Sequence, residues 1–312
     1  MKYVVKKIGV LILMLFLVSF ITFIAFSVIP GDSAITALGT EATEEALESM
    51  REAMGLNDSV PVRYVHWVKN VLKGDLNVSY QYNVSVSTLL KDKLPVTIWL
   101  AVMSISMISI VGIPIGVWLA KTKSKRVYAI VIFIMQLFMS IPPFFLGMIL
   151  TLVFGIVLKL FVPGGYVSFR EDPMQFISYM IYPAVAIALP KISMVSKFTM
   201  NSMKRESELD YVRTAYSKGA RRNDVYRKHI LKNGLLPIIT FMGMVIADVL
   251  AGSIIVEQVF SIPGLGRLLV TSIGTRDLYV VQAIMLYIVS VVVIINTIVD
   301  LLYQWIDPRV RV

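Results

Sequence analysis

From Ile8 to Ile29 the chain runs 22 residues without a charged side chain, directly after Lys2, Lys6 and Lys7. About 20 such residues are enough to cross the hydrocarbon core of a bilayer as a helix, and this constraint governs everything that follows. A secretory leader would have a shorter apolar region, about 7 to 15 residues, ending at a small-residue site. This run ends instead in Ile29, Pro30, Gly31 and Asp32, and reads as a retained first span with its lysines inside. The remainder agrees: 57% of the 312 residues are hydrophobic and 16% charged, whereas a soluble domain is nearer a quarter charged. The class is an all-α polytopic membrane protein.

Further apolar stretches give a topology. Residues 30–95 leave the membrane as an insertion with nine acidic and six basic residues, in which 43–54 reads as a solvent-facing helix. Val96 to Ala120 is the second span, its end loosened by Gly112, Pro114 and Gly116, with Lys121, Lys123, Lys125 and Arg126 marking the inside. Residues 127–162 overshoot one crossing at about 1.5 Å per residue and carry Pro142 and Pro143 in the middle. Two spans there would put the most basic loop outside, so the stretch is expected to be one bent or partly re-entrant span. Phe176 to about Met200 is the fourth span, broken by Pro183 and Pro190; Leu235 to Val256 is the fifth and Leu278 to Ile306 the sixth, leaving Arg309 and Arg311 inside. This arrangement places 19 of the 30 basic residues inside and 10 outside, with Lys191 left in the fourth span. Both termini are then cytoplasmic.

The basic segment 201–237 is the organising feature of the cytoplasmic side. Leu209, Val212, Ala215 and Tyr216 fall on one face of a helix, Ser207 and Asp210 have the spacing of a capping box, and Gly219 suits the left-handed residue that ends a helix. In a second short helix Val225, Tyr226, His229 and Ile230 share a face, and Pro237 falls where the fifth span begins. A basic amphipathic helix lying on anionic lipid would have the same composition.

Arg213, Thr214, Ala215, then Gly219, then Leu236 and Pro237 resemble the cytoplasmic coupling loop of bacterial ABC importer permeases. That motif opens Glu-Ala-Ala, has Gly four residues after the last Ala and closes in Leu-Pro; Arg213 and Thr214 depart from its first letters as the peptide and nickel branch does. The same branch is matched at Ile29 to Asp32, Gly55-Leu56 with Tyr64 and Trp67, Gly74-Asp75-Leu76, Leu94-Pro95, Phe260 to Gly266, and Asp307-Pro308-Arg309. The resemblance covers nearly the whole chain and is to the B-type permease of oligopeptide, dipeptide or nickel importers.

It implies a division into a first span at 1–29, an extracytoplasmic insertion at 30–95 and a permease core at 96–312. It further implies a non-catalytic subunit in a bacterial plasma membrane that binds no cofactor itself. ATP and Mg belong to two partner ATP-binding cassette subunits. A second homologous permease, giving a heterodimer, and an extracytoplasmic binding protein complete the assembly. Tyr211, Arg213, Thr214, Ala215, Ser217, Gly219, Leu236 and Pro237 are the expected ATPase-coupling residues, with Gly219 allowing a sharp turn and Ala215 and Ser217 small enough for close approach. The cargo implied is a peptide, with nickel or a metal chelate as the alternative within the family.

Other chemistries find little support. No cysteine is present, so thiolate metal sites and cysteine nucleophiles are excluded. His66 and His229 are the only histidines and fall on opposite sides of the membrane. Neither HExxH nor GxSxG occurs, which disfavours an intramembrane hydrolase, and no internal repeat suggests an ion-coupled secondary transporter. The net charge of +10 sits in short loops beside apolar runs, a pattern of membrane orientation and lipid contact, not nucleic-acid binding. Gly264 and Gly266 read as a tight turn, not a phosphate loop. Asp248, near the middle of the fifth span, is a candidate for the substrate path because a carboxylate there is costly; Lys191 and Lys197 are expected to snorkel inward.

Overall fold

The structure is a computed structural model that describes residues 2–28, 33–39, 42–53 and 55–306. The motif residues Ile29 to Asp32 and Asp307 to Arg309, and the terminal Arg311, lie outside the described residues. Helices dominate the described residues, and among them the only β pairing is an isolated bridge between Val78 and Ser85. In chain order the helices are α1 (Lys2–Val28), α2 (Ser33–Leu38), α3 (Glu44–Ala53), α4 (Val60–Leu72), α5 (Val86–Lys121), α6 (Lys125–Ser140) and α7 (Pro143–Val157). They continue as α8 (Pro173–Ser207), α9 (Asp210–Ser217), α10 (222–234), α11 (Leu236–Val259), α12 (Leu265–Gly274) and α13 (Leu278–Ile306). Five are long and apolar enough to cross a membrane, or six spans if α6 and α7, bent by 97° between Ser140 and Pro143, count as one. The bend falls where the paired prolines place it, because Pro143 can open a helix but the residue before a proline avoids helical backbone.

Two compact units are formed, Met1–Thr97 with Pro263–Val293, and Ile98–Ile262 with Ile294–Val312. In the first, Phe23 of α1 and Tyr64 and Trp67 of α4 are buried together with Leu278, Tyr279 and Leu286 of α13 around them. The Ser19 hydroxyl and the Tyr64 phenol share a buried hydrogen bond of 2.8 Å. Gly74 ends α4 with φ +83°, its N–H donating to Val71 O at 2.9 Å while Asp75 N–H reaches Asn70 O at 3.0 Å, a turn that needs the left-handed backbone glycine adopts freely. The loop that follows is fastened to the turn before α13: buried Asp277 accepts from the Ser79 hydroxyl and, at 3.3 Å, from Gln81 N–H. Burial of the Tyr80 phenol nearby, together with Tyr279, pushes its pKa well above the usual tyrosine range.

The second unit is arranged around α8, the most buried of the long helices. The Asp172 carboxylate caps it by accepting from Met174 and Gln175 N–H, both at 3.0 Å, and Pro173 occupies the first turn, where no N–H is needed. Pro183 and Pro190 do not break this helix; both are buried within it and it runs unbroken for 35 residues. Packing against α5, α6, α7 and α11 on its sides supplies what the two missing hydrogen bonds do not.

Gly112 and Gly116 do more than loosen α5, which widens into a π turn ending at Gly112. They form a G-x-x-x-G face that lets α5 approach α8 closely, with the Ser196 hydroxyl donating to Gly112 O at 2.8 Å. A Cβ at Gly116 would lie 2.5 Å from Ser196 O and 2.5 Å from Thr199 Cβ. The wide π turn from Ile108 to Gly112 comes just ahead of Pro114, which has no N–H to give. Two boundaries also move: α5 begins at Val86, ten residues before the expected Val96, because the polar stretch Val86–Leu94 is helical too, and α8 continues to Ser207, past Asn201. In α12, a helix not anticipated from the sequence, Gly266 already lies inside the helix, so only Gly264, its N-cap, belongs to the turn.

Gly116→Ala is expected to lower stability by about 1–3 kcal/mol, since the obstacle is backbone on a packed helix. Gly9→Ala, where nothing lies within 4 Å, should be neutral or favourable. Thermal melts of the two purified variants check this, and equal midpoints would contradict the close packing.

Candidate functional site

After α8 ends, the chain folds back as a helical hairpin of α9 and α10 before α11 begins. Ser207 does not cap α9. Because α8 runs on to it, its hydroxyl donates back to Lys204 O at 2.6 Å, and Leu209 holds the N-cap position with no side-chain bond. Val212 is the anchor: fully buried, it joins Met203 of α8, Val225 and Ile230 of α10 and Ile238 of α11 in one cluster, with Ile113, Val117 and Ala120 of α5 alongside. Burial of a side chain of this size contributes about 1.5–3 kcal/mol. Ala215 is half-buried against the same cluster, whereas Leu209 and Tyr216 are exposed, so the inward face is narrower than the spacing of apolar residues suggested. On α10 a π turn over Tyr226–Leu231 changes the register: Val225 and Ile230, five apart, both point inward, and His229 is left exposed.

Gly219 adopts φ +79°. Its N–H donates to Tyr216 O at 2.9 Å and Ala220 N–H to Ala215 O at 3.3 Å, closing α9 with a left-handed turn. The Tyr211 phenol bridges three elements, donating to the Glu206 carboxylate at the end of α8 and accepting from Asn233 Nδ2 of α10 at 3.0 Å. Burial and that carboxylate raise its pKa, so at neutral pH it keeps the proton it donates. Two contacts tie the hairpin to neighbouring helix ends: Lys121 Nζ lies 4.0 Å from the Tyr226 ring centroid, and the Ser202 hydroxyl donates to Gly234 O at 2.8 Å.

The expected coupling residues therefore divide. Tyr211, Arg213, Thr214, Ser217 and Gly219 lie on the exposed side of the hairpin, Ala215 faces its base, and Leu236 and Pro237 are half-buried at the start of α11. The Thr214 and Ser217 hydroxyls donate to Asp210 O and Arg213 O one turn back, leaving a surface of Arg213, Tyr216 and small side chains. Tyr216, whose spacing places it on the inward face, is exposed and belongs with this surface instead.

Within the spans, Lys191 of α8 does not snorkel to the helix end. Its Nζ is 2.5 Å from Asp248 Oδ2 of α11, and Lys197 Nζ bonds Gln136 Oε1 of α6 at 3.2 Å. Partners 57 residues apart could not be paired from sequence periodicity. Among the described residues no group of three His, Cys, Asp or Glu side chains is placed to hold a metal ion.

Residues 112–312 match the family described as binding-protein-dependent transport system inner membrane component, and residues 1–101 match its N-terminal counterpart. The chain belongs to this family. A protein of Brucella abortus (strain 2308) named a peptide transport system permease is 35% identical over 99% of this chain and 98% of its own length. The oligopeptide transport system permease protein AppB of Bacillus subtilis (strain 168) is 32% identical over 99% of both chains. The glutathione transport system permease protein GsiC of Escherichia coli O6:H1 is 33% identical over 100% of this chain and 99% of that one. In fold, a chain of the MetNI methionine ABC transporter, solved in inward-facing conformations, matches with a TM-score of 0.54 at 19% identity, covering 70% of this chain and 96% of that chain. As a family permease the chain is a multi-pass protein of the cell membrane.

Gly219→Ala should cost about 1 kcal/mol, the strain of a side chain at left-handed φ, because its Cβ meets nothing within 4 Å. Hydrogen exchange at the Gly219 and Ala220 amide positions is the measurement, with faster exchange expected in this variant and little change in Ser217→Ala.

Proposed function

We propose that this chain is the permease subunit of an ABC importer for peptides, forming half of the translocation pore and receiving force through the α9–α10 hairpin. The observation that carries this reading is the hairpin itself. Val212 and the Tyr211 bridge fix it to the ends of α5, α8 and α11, so a partner pressing on its exposed side moves those helices with it. A lipid-lying helix would bury a continuous apolar face in the bilayer, whereas this one spends its apolar residues on the protein and exposes Arg213, Thr214 and Ser217. Names of the relatives, which refer to peptides, oligopeptides and glutathione, favour a peptide over nickel or a metal chelate.

In this reading six spans cross the membrane, α6 and α7 together counting as the third, with both termini cytoplasmic and the hairpin on the cytoplasmic side. Residues 1–29 form the first span, 30–95 the extracytoplasmic insertion that faces a substrate-binding protein, and 96–312 the permease core. Two ATP-binding cassette subunits hold the ATP and Mg, this chain is non-catalytic and binds no cofactor, and a second, homologous but different permease completes the pore. Asp248 lies on the substrate path.

Co-purification from membranes with the proteins encoded beside it tests the assignment. A soluble ATPase is expected to accompany the wild-type chain. Arg213→Glu, on the exposed face, and Gly219→Pro, which forbids the left-handed turn and removes its N–H, should release that ATPase or abolish transport-coupled hydrolysis. Transport that persists without ATP or any ATPase would instead indicate an ion-coupled carrier.

A further inference from the structure

The Lys191–Asp248 pair combines three features that a merely structural ion pair does not need. First, it lies deep within two long apolar helices, well away from either end of α8 or α11, where an isolated charge is costly. Second, the two partners are unequally covered: the Lys191 side chain is 19% exposed and that of Asp248 60%. Third, Asp248 stands on an exposed stripe of α11 with Met244 and Ile255, and between them Ala251 and Gly252 leave the helix backbone approachable, with open space where a Cβ at Gly252 would be.

A carboxylate on such a stripe is incompatible with contact to lipid, so this face of α11 turns toward water or protein. Among the described residues Lys191 is the only hydrogen-bonding partner of Asp248, and it engages Oδ2, which leaves Oδ1 and its lone pairs available. A primary ammonium is the group that the carboxylate already holds. A second ammonium arriving along the exposed side is chemically equivalent to Lys191 Nζ and can replace it without leaving either charge bare. Released, the flexible lysine has a free cation for an anionic group on the same visitor.

We propose that Lys191 and Asp248 form a charge-exchange site for zwitterionic peptides, in which Asp248 passes from Lys191 to the ammonium of the cargo while Lys191 takes its carboxylate. The site stays neutral before, during and after passage, so no net charge is ever exposed to the low-dielectric interior. This rests on the peptide-importer reading above and names the groups by which that cargo is recognised within the membrane.

The test uses the whole assembly, reconstituted in proteoliposomes with its binding protein outside and ATP supplied to the ATPase, and radiolabelled tri- and pentaalanine as probes. Four variants are compared for amount in the membrane and for uptake: Asp248→Asn, Lys191→Met, the neutral double Lys191→Met/Asp248→Leu, and the swap Lys191→Asp/Asp248→Lys. Removing both charges together is tolerated by folding where removing one is not, so the double variant should be present at wild-type amounts. Exchange predicts that its uptake nonetheless falls about tenfold or more, the scale of one charged hydrogen bond, and that the swap, which offers the same two charges in reverse, recovers most of it. Wild-type uptake in the neutral double variant would overturn the proposal and leave the importer reading standing. Failure of the wild-type assembly to take up either peptide would overturn the peptide reading, and the exchange site with it.

Discussion

The contact between α5 and α8 sets the geometry of the larger unit. Two glycines four residues apart bring the helix backbones close enough for the Ser196 hydroxyl to bond Gly112 O directly, and a methyl group at Gly116 would collide with the Ser196 carbonyl and with Thr199 Cβ. In hydrocarbon there is no hydrophobic drive between helices, so close packing and buried hydrogen bonds are what hold them together. With α5 fixed on one side of α8, the bent pair α6–α7 and the long α11 take the remaining sides. The end of α8 then has one environment, and the hairpin that follows is built on it.

That dependence explains how a segment with exposed polar groups can be stiff. Its first helix, α9, buries one residue completely, Val212, in a cluster supplied by α5, α8, α10 and α11 together. The Tyr211 phenol, its pKa raised by partial burial and by its carboxylate acceptor, connects the last turn of α8 to Asn233 at the far end of α10. Force applied at Arg213 or Ser217 therefore has a short covalent and hydrogen-bonded route to three long helices. A hairpin attached by its two chain ends alone would bend instead.

Local rules made much of this legible in the sequence. The apolar runs located the spans, the Pro142–Pro143 step located the 97° bend, and Gly219 marked the left-handed end of α9 because few residues other than glycine settle there. Where the structure differs, the reach of a neighbouring helix or a packing partner decided. Ser207 has capping-box spacing, but α8 reaches it first and takes its hydroxyl. Val86–Leu94 is polar enough to look like a loop, yet nothing in it prevents the helix of the second span from starting there, and Thr97, three residues beyond it, accepts the Leu265 N–H. Pro183 and Pro190 suggested breaks, and their neighbours on every side kept the helix whole. Leu209 and Tyr216 fit a periodic face, but that face is only as wide as the cluster receiving it.

Lys191 and Asp248 show the same limit in its sharpest form, and also why the pair exists as a pair. Read singly, each is an anomaly: a lysine expected to stretch toward the helix end, and a carboxylate with no evident reason to stay charged. Brought together they cancel, which offsets part of the cost of placing either in the membrane. Cancellation alone would be achieved more cheaply by two apolar residues, since a buried pair seldom outweighs a hydrophobic replacement. A pair kept half open, with its cation sheltered and its anion facing outward from α11, is an arrangement whose use lies in being interrupted. In an α-helical membrane protein whose α9–α10 hairpin is anchored by Val212 and Tyr211, an interruptible contact between α8 and α11 joins the two helices that begin and end that hairpin.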